Sequence, residues 1–364
     1  VGPWRGKAKE LIPFRIALKK WQNLTGWPIF ADPLSGVENN QKGLINHWDL
    51  IFSTGFFEKI KEIQVLRLGT LPPSRELQFW LEKPGKIQLL ITEGDSRNLD
   101  PIGGSTQFSE GLSCWVSKFF ESISKKPKID KKNICEKLTS KLINYDLFIN
   151  DWLDNKLFGK GLITEPALAR LVPRLVPNFM PVMLASSSPI RDWLSFSGQG
   201  AFVRRCFGFR GSSGIDGTLS MGMGLSIIMG RMILVTGDLA LLHDTNGWLF
   251  SKDRNISLVV IMIDNGGGGI FNQLNIDRIQ EGDFEEIFLM PQRVCPLTLA
   301  KSYGVKYKQV ACLDDLEKAI EWGVSLSTNV LIRVCTNSVE DHQLRVNLRD
   351  DLKRTFSENL SSFD

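Results

Sequence analysis

The sequence predicts an α/β protein built from two Rossmann-like parallel-sheet domains, the second a doubly wound sheet with a ligand edge. Three observations carry that expectation. Short apolar runs recur in the second half, as at 233–236 and 258–263, the pattern of strands buried on both faces, and a further strand is expected at 330–335. Segments of helical length lie between them at 218–229, 239–252 and 313–326. Strand, helix, strand is a right-handed crossover joining two parallel strands. Polar residues and glycines follow directly on two of the runs, in Gly237-Asp238 and in Asp264-Asn265-Gly266-Gly267. They therefore fall at the carboxyl ends of strands, where open α/β sheets bind ligands.

Taken in order, residues 4–25 place Leu, Ile, Phe and Trp at helical spacing among charges, with a break expected at Pro13. Buried strands are expected at 27–31, 64–68 and 86–92, with a helix at 75–82 among them. This makes a first, central α/β domain over residues 1–123. It has neither a Gly-x-Gly-x-x-Gly fingerprint nor a Walker loop, so a nucleotide site is not supported there. The basic stretch Lys125-Lys126-Pro127-Lys128 belongs to a linker, and with a helix at 138–157 it fills residues 124–163. Thr164-Glu165-Pro166 then reads as a helix start, with Thr164 as cap and Pro166 in the first turn. From there to residue 364 the second domain alternates strand and helix, with strands at 182–185, 205–209, 233–236, 258–263 and 330–335 and a charged helical tail after Asn337.

Composition excludes several classes of function. With 364 residues the chain has room for two cores. Lys and Arg number 44 against 40 Asp and Glu, too small an excess for a nucleic-acid surface. Six cysteines are scattered singly without a Cys-x-x-Cys pair, which argues against a zinc ribbon and fits thiols in a reducing cytoplasm. The longest apolar region, near 219–242, is interrupted by Arg231 and Asp238, so no membrane span is expected. Nothing at the start reads as a signal peptide.

The chemistry gathers at the strand ends. The Asp238 carboxylate, the Asn265 side-chain carbonyl and a backbone carbonyl near Gly267 are hard oxygen donors, suited to Mg²⁺ or Mn²⁺ carrying a diphosphate. The run Gly266 to Gly269 lets the backbone approach phosphate oxygens closely. Arg191 follows the serine-rich turn after 182–185, and Arg210 follows 205–209. A planar guanidinium binds a carboxylate through two parallel hydrogen bonds, so both arginines are candidates to hold an acidic substrate in the same crevice.

Gly237-Asp238, 26 intervening residues, and Asn265 with its glycine run resemble the thiamine diphosphate signature, Gly-Asp-Gly…Asn-Asn. Here Leu239 stands for the third glycine and Asp264 for the first Asn. The segments Thr236-Gly-Asp-Leu-Ala-Leu-Leu-His-Asp244, Asn265-Gly-Gly-Gly-Gly-Ile-Phe271, Arg210-Gly-Ser-Ser-Gly-Ile-Asp216-Gly and Ser186-Ser-Ser-Pro-Ile-Arg191-Asp192 resemble those of one branch. That branch is the 2-succinyl-5-enolpyruvyl-6-hydroxy-3-cyclohexene-1-carboxylate synthase family of menaquinone and phylloquinone biosynthesis. The resemblance implies thiamine diphosphate and Mg²⁺ or Mn²⁺ as cofactors, with Asp238, Asn265 and Gly267 as metal ligands. Ser213, Gly214, Ile215, Gly237, Leu239 and Gly268 are then further cofactor contacts, Ile215 lying beneath the bent cofactor. It implies 2-oxoglutarate and isochorismate as substrates: the first is decarboxylated and its succinyl carbanion added to the second. Ser187 and Arg191 then face 2-oxoglutarate, Arg210 faces a carboxylate of isochorismate or of the adduct, and Ile270, Phe271 and Leu274 wall the reacting ring. Arg75, in Leu71-Pro-Pro-Ser-Arg75, is a further basic contributor by the same resemblance.

The family also implies a cytoplasmic homo-oligomer, dimer or tetramer, when full length. Its activating glutamate resides on an amino-terminal pyrimidine-binding domain, which by this resemblance precedes Val1, so this chain alone is expected to be inactive. Two rival readings stay open. One is another thiamine-dependent enzyme of the acetolactate synthase type. The other is a catalytically silent binding or regulatory subunit.

Overall fold

The computed structural model describes residues 1–60, 63–123, 132–158, 163–210, 214–253, 255–273 and 281–358. They gather into two compact units, Val1–Leu153 with Arg349–Asp364, and Asp154–Leu348. The expected basic linker at 125–131 lies outside the described residues.

In the first unit, helix α1 (Leu11–Thr25) buries Phe14, Ala17, Leu18 and Trp21 and ends at Gly26. Gly26 adopts φ 68° and donates to the Gln22 carbonyl, a left-handed cap natural to glycine. The helix is not broken at Pro13, contrary to the sequence expectation. Pro13 is its third residue, where a backbone N–H has no partner within the helix and none is lost. The short parallel strands β1 (Ile29–Phe30) and β2 (Leu44–Ile45) follow, then α2 (Trp48–Ser53). Strand β3 (Ile63–Leu68), α3 (Arg75–Glu82), β4 (Lys86–Ile91) and β5 (Ser105–Phe108) complete a parallel sheet of order β3-β4-β5. Helices α4 (Leu112–Ile123) and α5 (Lys132–Leu157) come next. Buried Asp146 of α5 accepts hydrogen bonds from the amides of Asn46 and His47, which fixes the turn into α2.

The second unit opens with α6 (Glu165–Leu175), whose start is as expected. The Thr164 hydroxyl accepts from the Ala167 amide and Pro166 stands in the first turn. Then come β6 (Val182–Leu184), α7 (Ser188–Phe196), β7 (Cys206–Gly208), α8 (Thr218–Met229), β8 (Met232–Gly237), α9 (Asp238–His243) and β9 (Leu258–Asp264). Helices α10 (Glu281–Phe284) and α11 (Pro296–Ser302), strand β10 (Lys306–Val310), α12 (Leu313–Ser325), β11 (Val330–Cys335) and α13 (Ser338–Glu358) follow. The last helix contributes residues to both units.

The sheet is wholly parallel, in the order β10-β11-β9-β8-β6-β7, so the expected doubly wound fold is present. Every carboxyl end lies on one edge. From β6 the chain crosses to β7 on one side, and from β8 to β9 on the other, so a topological switch point lies between β6 and β8. Leu234, Leu258, Val260 and Met262 pack with Leu219 and Met223 of α8 and with Trp248 in a core less than 3 % exposed at each position.

Other elements also differ from expectation: the strand expected at 27–31 is only Ile29–Phe30, and β2 and β5 are additions. The single helix expected at 239–252 is α9 followed by a 3₁₀ segment, Thr245–Lys252, since Asn246 and Gly247 favour a tighter turn. Strand β7 is shorter than 205–209. Strand β10 is an addition to the expected set. It is an edge strand of mostly exposed polar residues, Lys-Tyr-Lys-Gln-Val, and so lacks an apolar run.

Candidate functional site

Asp238 is the first residue of α9, immediately beyond β8 and beside the switch point. The residue is 6 % exposed, and its Oδ1 accepts the Leu239 amide at 2.7 Å. Burial pushes the carboxyl up from its usual value to about 7. The Asp264 carboxylate adds to the rise, while the Leu239 and Gly267 amides oppose it. Asp264, last in β9, accepts from Arg333 Nε of β11 at 2.6 Å. The Asp that replaces the signature's first Asn thus has its own cation on the neighbouring strand.

Asn265 and the glycine run form the other wall. Gly266 and Gly267 adopt φ 83° and 128°, open to glycine and strained for other residues. A Cβ on Gly267 would lie 1.9 Å from the Leu289 carbonyl oxygen, and one on Gly268 2.1 Å from that of Phe288. The Gly268 amide donates to Leu289 O at 2.7 Å, so the run is clasped against the π-helical turn Glu285–Leu289. The Gly267 amide donates to Asn265 Oδ1 at 3.3 Å, which keeps that oxygen on the glycine side.

Behind Asn265 lies a buried ionic cluster that sequence reading missed. Asn265 Nδ2 donates to Glu165 Oε1, and Glu165 Oε2 accepts from Arg345 Nη2 at 2.6 Å. Arg345 of α13 also donates from Nε and Nη2 to both oxygens of Asp192 on α7. The Glu165 amide donates to Asp341 Oδ1 at 2.8 Å. All four charged residues are at most 5 % exposed. Burial lowers the Arg345 pKa, but Asp192 and Glu165 more than offset it and hold the guanidinium charged. Burial likewise raises Glu165 and Asp341, each disfavoured further by a neighbouring carboxylate. The one sequence signal is Glu165 behind its Thr cap, for its partners lie 100 to 180 residues away.

The structure places the remaining candidates as follows. Ser187 links β6 to α7 with φ 74°, a left-handed conformation that costs a non-glycine residue, and its carbonyl accepts from Arg191 Nη1 at 2.8 Å. Arg210 stands two residues beyond β7, and among the described residues no acceptor reaches its buried Nε. Arg191 and Arg210 thus follow adjacent strands on the edge that carries Asp238. Ile215 is exposed, as is Phe271, which packs edge-on to Phe288 at 5.4 Å; Ile270 beside it is half-buried. Gly214 leaves room for Asp216, whose Oδ1 would be 2.1 Å from a Cβ there. Ser213 and Leu274 lie outside the described residues. Arg75 belongs to the other unit, exposed at the first position of α3.

The arrangement suits a divalent cation with a diphosphate. A buried carboxylate held by amides, an amide oxygen and a close-approach glycine backbone are hard donors around one edge. Among the described residues no group of three or more His, Cys, Asp and Glu side chains could by itself hold a metal ion. Among the described residues no helix is long and apolar enough to cross a membrane.

Known proteins similar to the chain share its cofactor-binding fold. Residues 194–334 match the C-terminal thiamine pyrophosphate-binding domain of the thiamine pyrophosphate enzymes. Over its whole length the chain is similar to 2-succinyl-5-enolpyruvyl-6-hydroxy-3-cyclohexene-1-carboxylate synthases. It is 82 % identical over all 364 residues to that of Prochlorococcus marinus strain NATL2A, covering 61 % of that protein. It is 49 % identical over 355 residues to that of strain MIT 9313, covering 60 %, and 44 % identical over 360 residues to that of Synechococcus sp. strain CC9311, covering 62 %. The chain thus spans about three fifths of the length of these relatives.

Proposed function

We propose that this chain contributes the metal- and diphosphate-binding side of a 2-succinyl-5-enolpyruvyl-6-hydroxy-3-cyclohexene-1-carboxylate synthase. The complete enzyme would decarboxylate 2-oxoglutarate and add the succinyl group to isochorismate, on the way to menaquinone or phylloquinone. The observation that carries this reading is the pairing of Asp238 with Asn265 at adjacent strand ends beside the switch point, against a glycine backbone.

In this reading Asp238, Asn265 Oδ1 and the Gly267 carbonyl hold Mg²⁺ or Mn²⁺. Gly237, Leu239 and Gly268 line the diphosphate, and Ser213, Gly214 and Ile215 the rest of the cofactor. Bound thiamine diphosphate supplies the electron sink that loss of CO₂ from a 2-oxoacid requires. Ser187, Arg191 and Arg210 bind and orient substrate carboxylates, and Arg75 adds a further positive charge. Ile270, Phe271 and Leu274 exclude water and so strengthen those charge interactions. The proposal extends to a cytoplasmic homo-oligomer.

Calorimetry with thiamine diphosphate and Mg²⁺ tests the binding half. Asp238→Ala should abolish Mg²⁺-dependent binding, and unchanged affinity would remove the metal assignment. Product formation from 2-oxoglutarate and isochorismate by the complete enzyme tests the rest. Turnover of pyruvate alone would favour an acetolactate synthase-type activity, and cofactor binding without turnover a silent subunit.

A further inference from the structure

We infer that Glu165 is a positioning residue: its carboxylate sets which face of the Asn265 amide is presented to the cofactor metal. This rests on the proposed role of Asn265 as a ligand. Asn265 has one oxygen and one NH₂ on its side chain, and only the oxygen can bind a cation. Glu165 Oε1 accepts from Nδ2. That leaves Oδ1 on the opposite side, where the Gly267 amide meets it at 3.3 Å. Both Glu165 oxygens accept here, Oε1 from Asn265 Nδ2 and Oε2 from Arg345 Nη2, so the side chain holds the Asn265 amide in this one orientation.

Glu165 is in turn held by Arg345 on its second oxygen at 2.6 Å and by Asp341 at its backbone amide. Arg345 is itself fixed by both oxygens of Asp192. Helices α6, α7 and α13 thus converge, through residues at most 5 % exposed, on one ligand's amide.

The chemistry makes a definite forecast for Glu165→Gln. Arg345 can only donate, so the carbonyl of the substituted side chain must turn to it, leaving NH₂ facing Asn265. Two NH₂ groups cannot face each other, so Asn265 flips and points its own NH₂ at the metal position. Adding Asn265→Asp cures this. A carboxylate there accepts from the substituted amide on one oxygen and offers the other to the cation. Asn265→Asp alone places two carboxylates together and should bind poorly.

The experiment titrates Mn²⁺ with thiamine diphosphate into the 364-residue chain by electron paramagnetic resonance, with near-ultraviolet circular dichroism to confirm folding. Glu165→Gln is expected to weaken Mn²⁺ about 10- to 100-fold, the usual effect of removing a ligand's orienting partner. The double variant should recover most of that loss, and a purely structural role of Glu165 predicts no such rescue. Wild-type affinity in Glu165→Gln, or a double variant that folds and binds no better than Glu165→Gln, overturns the inference. Undiminished Mn²⁺ binding by Asp238→Ala would overturn instead the metal site on which it rests. Should Glu165→Gln not fold, the comparison of Asn265→Asp with the folded double variant decides, and equal affinity there overturns the inference.

Discussion

Asp238 is a carboxyl buried at the expense of stability. Its pKa is about 7 in the folded chain and ordinary in the unfolded one. Below pH about 4 the group is neutral in both states and has no effect on stability. Between about pH 4 and 7 the unfolded state releases the proton while the folded state keeps it, so stability falls as pH rises, by roughly 4 kcal/mol in all. Asp238→Asn should therefore resist urea better than wild type at pH about 8 and equally at pH about 4, in metal-free buffer. Mg²⁺ with thiamine diphosphate should stabilise wild type and not this variant. The arginines give a second expectation. Arg191→Lys or Arg210→Lys in the complete enzyme should lower kcat/KM for a carboxylate substrate about ten- to a hundredfold, since one charged hydrogen bond is worth about 1.5–3 kcal/mol. Cofactor affinity should hold. Normal kinetics for both substrates would remove that arginine from the site.

Elements divide by how local their causes are. Strands β8 and β9 are legible in the sequence because each is buried on both faces and reads as an apolar run. The crossover through 239–252 puts Asp238 and Asn265 on one edge from spacing alone. Strand β10 and the pairing of Glu165 with Arg345 are not legible. An edge strand carries no apolar pattern, and a buried ion pair is specified by partners 180 residues apart. The resemblance to a family named the ligands, and the support beneath them came only from packing. At the glycine run the cause is steric. Gly267→Ala should displace the turn at 285–289 or the run itself, because its Cβ has 1.9 Å to Leu289 O and its φ of 128° is strained for alanine. We expect a loss of roughly 1–3 kcal/mol from strain alone, read by thermal melts, together with weaker thiamine diphosphate binding. Wild-type values for both would remove the close approach as a requirement.

Across the second unit, the candidate ligands and the Arg231 tie lie at opposite edges of one sheet. The candidate ligands follow the carboxyl ends of β8 and β9, while the amino ends are tied by Arg231. That residue donates to Ser257 Oγ, to the Thr328 carbonyl and to the Gly323 carbonyl, joining the starts of β8, β9 and β11. Asn329 reinforces the same edge, accepting from the Leu258 amide at 2.8 Å and donating to Ser251 O at 3.1 Å. Arg231→Ala should lower the stability of the unit by about 1.5–3 kcal/mol, the loss of hydrogen bonds from a charged donor. Metal and cofactor affinity measured below the melting transition should not change. A fall in affinity at full folding would mean that the two edges are coupled.

The clasp between the glycine run and Leu289 also has a kinetic meaning. The Gly268 amide proton can exchange with solvent only when its bond to Leu289 O opens. Phe271 packs on Phe288, so those two rings must part when the run lifts from the turn. The run and the 285–289 turn should therefore exchange as one cooperative patch, and a bound diphosphate should slow that patch as a whole.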